Sequence, residues 1–97
     1  ITTDQAPQAI GAYSQAVISN NMLYVSGQIP LEPSSMEIVD QSFDAAADQV
    51  INNLEAICKA ANCSLDHIVK LTIYLTDLNN FNTLNAIMEK RFTKRLE

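Results

Sequence analysis

Residues able to do chemistry are few in this chain, and the missing types narrow the field. The one histidine, His67, has only Asp66 beside it, and neighbours on a strand point to opposite faces, so no metal-ligand spacing is present. Cys58 falls on an apolar helical stripe, where a thiol is ordinarily inert core, and Cys63 follows the end of that stripe with no histidine nearby in sequence. Neither reads as a nucleophile. Disulfides across a five-residue spacing are uncommon, which fits a reducing compartment. Gly11 and Gly27 stand too far apart for a phosphate loop, so a nucleotide cofactor, like a metal, is not expected.

Two polar, glycine-bearing stretches remain: Ala9-Ile10-Gly11-Ala12-Tyr13-Ser14-Gln15-Ala16-Val17 and Ser26-Gly27-Gln28-Ile29-Pro30. The Tyr13 and Ser26 hydroxyls could orient a small polar substrate, or serve only local turns and edges. Gly27 closes a β-prone run, where a glycine either makes a turn or lets a ligand approach the backbone closely.

The elements that must position these residues follow from periodicity. Residues 16–19 and 22–26 are β-prone runs joined by Asn20-Asn21, and asparagine tolerates the positive φ of a tight hairpin turn. From Phe43 the apolar residues Phe43, Ala46, Ala47, Val50, Leu54, Ile57, Cys58 and Ala61 recur at three and four, predicting a long helix capped by Ser42 and ended by Asn62 in the left-handed conformation. Val69, Leu71, Ile73 and Leu75 then alternate with Lys70, Thr72, Tyr74 and Thr76, the two-residue repeat of a half-buried strand. Asn79 or Asn80 is expected to cap a second helix with Phe81, Leu84, Ile87, Met88 and Phe92 on its apolar face. The predicted order is β-β-α-β-α. Helices with one apolar stripe each imply an α+β, two-layer domain, with both helices on one face of the sheet. The other face would carry Thr72, Tyr74 and Thr76, a mixed surface suited to an oligomer interface.

Composition sets outer bounds. Ninety-seven residues make one domain, near the lower limit for a self-sufficient core. No apolar run approaches the roughly 18 residues of a membrane span, and Ile1 opens into polar sequence, so a cytoplasmic location and no membrane association are expected. A net charge of −5 disfavours a nucleic-acid partner. Bases do gather late in the chain, at Lys90, Arg91, Lys94 and Arg95. Cations there suit the end of a helix.

The glycine-bearing stretches, together with Ala6-Pro7, Pro33-Ser34-Ser35, Ile68-Val69-Lys70-Leu71-Thr72 and Asp77-Leu78-Asn79-Asn80-Phe81-Asn82 with Asn85, resemble the RidA family in their order along residues 6–92. That family is also called YjgF or endoribonuclease L-PSP. Ala12 stands where members commonly have proline, and Asn62 where many have glycine. The resemblance implies a chorismate-mutase-like subunit, a homotrimer with ligand clefts between neighbours, and hydrolysis of 2-iminopropanoate and 2-iminobutanoate to 2-keto acids and ammonia without a cofactor. By position it places Tyr13 and Ser26 as catalytic residues, and Tyr13, Ser26, Gly27 and Asn85 as substrate-binding residues. In such proteins an arginine in a proline-alanine-arginine stretch grips the substrate carboxylate, and a glutamate on the last strand activates water. Neither motif occurs in residues 1–97, and neither Arg91 nor Arg95 takes over the arginine's role. The expectation is a single domain apparently without the family's last strands. Three functions stay open: an imine deaminase, a catalytically impaired oligomer that binds small ligands, and a translation inhibitor or endoribonuclease.

Overall fold

The computed structural model describes residues 1–92. Strand β1 (Ala16–Ser19) pairs antiparallel with β2 (Met22–Val25), with Ala16 opposite Val25 and Ser19 opposite Met22. Asn20 and Asn21 form the turn at φ 50° and 66°. Two successive left-handed residues match the right-handed twist of a hairpin, which is why asparagine stands at both.

Helix α1 (Phe43–Ala60) starts where the Ser42 side chain accepts the Ala45 N–H at 3.1 Å. Asn62 ends it at φ 61°. The predicted cap and stop both hold. Helix α2 (Phe81–Arg91) is entered through a short 3-10 turn, Leu78–Asn80. Here the expected cap is corrected: Asn80 occupies the cap position without a side-chain cap bond, and the Asp77 carboxylate instead accepts the Asn79 N–H at 2.9 Å. Because the 3-10 turn runs straight into α2, the unpaired N–H groups lie at the head of that turn rather than at α2 itself.

Ile51 and Leu54 of α1 meet Leu65, Ile87 of α2 and Phe92 in one core, with Val25 of β2 packed against it. Ala6, Ala16 and Ile57 form a second cluster that Leu23 and Val25 also touch. Val25 thus ties the hairpin to both helices, and the α+β class is borne out. The strand expected over residues 69–76 is not. Among the described residues this segment joins no sheet, leaving the order β-β-α-α and a two-stranded sheet. Alternation offers a strand two distinct faces but supplies no hydrogen-bonding neighbour, and a strand needs one. Leu71 and Leu75 do turn inward, whereas Val69 and Ile73 are exposed and Tyr74 is 92% exposed. Among the described residues no helix is long and apolar enough to cross a membrane.

Candidate functional site

Tyr13, Ser26 and Gly27 meet at a cleft of about 290 Å³ between the segment before β1 and the loop after β2. Its other walls include Pro7, Ile10, Leu31 and Met36. All the lining side chains are neutral. A second, shallower depression on the outer side of the hairpin shares Tyr13 and Ser26 and adds Val17 and Tyr24. Asn85 lines neither; it is exposed on α2, so one chain does not bring it to the other three.

Ser26 is held rather than mobile. Its N–H and its hydroxyl both donate to the Gln15 carbonyl at 3.0 Å. With its proton engaged, the Ser26 oxygen faces a ligand or water mainly as an acceptor. Tyr13 is 55% exposed at the rim of the cleft. For Gly27 the turn explanation loses ground, because its φ lies outside the left-handed region and an added Cβ would meet nothing within 4 Å. The chain's own packing leaves a side chain room there. Gly11 differs: its φ of 105° does require glycine.

Two buried amides, not foreseen as site residues, hold the walls. The Gln15 side chain is 4% exposed, accepts the Thr3 N–H at 2.7 Å and donates to the Pro7 carbonyl at 2.7 Å and that of Thr3 at 2.9 Å. It clips the N-terminal segment beside the cleft. Asn53 is 0% exposed on α1 and donates to the carbonyls of Leu31 at 3.0 Å and Ile29 at 3.4 Å, while accepting from Gln49 at 2.9 Å. It holds the opposite wall. Asn53 could have been suspected, since it sits three residues from Val50 and four from Ile57, a polar amide on an apolar stripe. Gln15 carries no comparable periodic signal.

Charge lies outside the lining. Beyond Leu31 the Glu32 carboxylate accepts Ser34 Oγ at 2.6 Å and the Ser35 N–H at 2.8 Å. Those bonds, from Ser34 first, lower its pKa from 4.5 to about 2. Arg91 bridges to Asp48 at 3.3 Å and donates to Asn52 at 2.8 Å, joining α2 to α1 and facing away from any role at the cleft. Arg95 lies outside the described residues. His67 Nδ1 accepts the Ser64 N–H at 3.0 Å, a capping role. Among the described residues no group of three His, Cys, Asp or Glu could hold a metal ion. The cleft lining itself offers neutral donors and acceptors.

Residues 3–96 match the family described as Endoribonuclease L-PSP. The chain is 46% identical over 96 residues to the 2-iminobutanoate/2-iminopropanoate deaminase of Rattus norvegicus, covering 99% of this chain and 70% of that protein. Among solved structures, RidA from the Antarctic bacterium Psychrobacter sp. superposes with a TM-score of 0.93 at 44% identity, over 99% of this chain and 77% of that one. Escherichia coli TdcF with bound serine gives 0.87 at 40% identity, over 93% and 70%.

Proposed function

Given that the chain belongs to the Endoribonuclease L-PSP family, we propose that it acts on small 2-imino acids, hydrolysing 2-iminopropanoate and 2-iminobutanoate to the 2-keto acid and ammonia. The observation that carries this reading is the 46% identity to the rat deaminase over almost the whole chain. The cleft fits the chemistry in kind. A protonated imine is already electrophilic, so the protein needs only to orient the C=N group and position a water. Tyr13 orients the ligand at the rim. The Ser26 oxygen, its proton held by Gln15, accepts from the attacking water. Water adds to the imine carbon, the carbinolamine collapses, and ammonia leaves with the nitrogen. Gly27 keeps the backbone open to the ligand, and Asn85 joins from a neighbouring copy in a homotrimer working in the cytoplasm.

Ligand binding without turnover is the second reading, favoured by the neutral lining of the cleft. A carboxylate gripped bidentately by arginine gains about 1.5–3 kcal/mol, on the order of ten- to a hundredfold in affinity. Imine decay, followed by semicarbazone trapping, separates the two readings when residues 1–97 are compared with the same residues continued by the family's proline-alanine-arginine stretch. Residues 1–97 alone are expected to stay close to the spontaneous rate and the continued chain to exceed it clearly. Arg91→Ala should not slow the continued chain, because Arg91 is engaged on α1. Turnover by neither preparation, with 2-keto acid binding retained, would select the binding reading. Full activity of residues 1–97 would place the carboxylate anchor elsewhere.

A further inference from the structure

Cys58 and Cys63 are five residues apart, which on a continuing helix would turn them about 140° from each other. The end of α1 removes that separation. Asn62 enters the left-handed region, its N–H bonds to the Lys59 carbonyl at 3.0 Å, and the Cys63 N–H bonds back to the Cys58 carbonyl at 2.9 Å. This pair of bonds is a Schellman motif, and Cys58 and Cys63 occupy the two positions whose side chains meet across it. Both are free thiols, Cys58 buried and Cys63 half-buried.

We infer that Cys58 and Cys63 form an oxidant-sensitive thiol pair at the end of α1, closed to a disulfide by hydrogen peroxide and reopened by a dithiol. The Cα separations that a disulfide tolerates, about 4.4–6.8 Å, are of the order that a backbone hydrogen bond imposes on the residues it joins. The roles divide by exposure. Cys63, which solvent reaches, attacks one peroxide oxygen; the O–O bond breaks, a sulfenic acid forms on Cys63 and one water leaves. The Cys58 sulfur then attacks the Cys63 sulfur, the S–O bond breaks, and the Cys58 proton departs with the hydroxide as a second water. Two thiols lose two electrons in all, and the peroxide is reduced to two waters. Burial first and the neighbouring Cys63 thiol next push the Cys58 pKa up to about 11, which keeps Cys58 a thiol and leaves the first attack on the peroxide to Cys63.

The test uses hydrogen peroxide on the whole protein, followed by thiol capping, a non-reducing gel and tryptic mapping. Lys59 lies between the two cysteines, so trypsin separates them unless they are bonded. A linked pair of peptides, residues 1–59 with residues 60–70, is expected from protein that runs as a single chain, and dithiothreitol should release it. Cys58→Ser should raise dimedone-trapped sulfenic acid on Cys63 several-fold. Disulfides that form only between chains, or oxidation of Cys63 to sulfinic acid without a link to Cys58, would overturn the inference, and both are read on the unmutated protein.

Discussion

At Gly27 the chain's own geometry leaves space for a side chain and the backbone does not demand glycine. The proposed approach of a ligand from outside supplies a reason for glycine there. Gly27→Val is expected to fold with an unchanged far-ultraviolet circular dichroism spectrum and to lose at least tenfold in 2-keto acid affinity, measured by calorimetry. Loss of the spectrum without a selective loss of binding would return Gly27 to a turn role. Ser26 shows a related lesson. Its type announces a hydroxyl, but only the fold shows that the proton is committed to Gln15 and that an acceptor is what remains.

Among the elements, the loop from Leu31 to Ile38 joins backbone hydrogen bonds to the bonds of one carboxylate. The two ends are bridged, Met36 is held at φ 58°, and Glu32 gathers Ser34 and Ser35. Since the folded pKa of Glu32 lies below its ordinary value, its contribution to the loop is complete above about pH 4.5 and is lost as pH falls toward about 2. The Ser35 amide resonance should titrate with a midpoint near pH 2 and should lose that transition in Glu32→Gln. A midpoint near 4.5 would mean that the carboxylate does not organise the loop. The same scale shows what the amino-acid sequence made legible. Ser42, Asn20-Asn21, Asn62 and the stripe of α1 act locally, through φ preference, capping and period, and each was readable without the fold. Residues 69–76 alternate without forming a strand, because alternation says nothing of a partner. Asp77 displaced Asn80 as a cap because the 3-10 turn moved the unpaired N–H groups upstream. The cleft was half legible: Tyr13, Ser26 and Gly27 come together, whereas Gln15 and Asn53 act on carbonyls distant in sequence that no spacing rule identifies.

For the molecule as a whole, the described sheet has two strands and carries Val17, Ile18 and Tyr24 more than half exposed. A body of 36 × 31 × 19 Å with so thin a core gains stability from covering that surface. The proposed homotrimer makes stability a matter of mass action, so the thermal midpoint should rise with protein concentration and light scattering at dilute concentration should report three chains. A monomer whose midpoint ignores concentration would remove the trimer from the reading. Within each chain, the Asn53 amide also sets an order of events. Helix α1 can form from local contacts, but the Asn53 bonds to Ile29 and Leu31 reach across 24 and 22 residues and need the loop already closed against the helix. Such bonds are expected to form after the main folding barrier. Asn53→Ala, which strands buried carbonyls at a cost of about 1–3 kcal/mol, is therefore expected to speed unfolding while leaving the refolding rate almost unchanged in stopped-flow measurements. An equal slowing of refolding would put this amide in the folding nucleus instead. If it does act late, the cleft wall is the last part of the chain to assemble and the first to come apart, and a newly made chain can have its helix and hairpin before it has a place to hold a ligand.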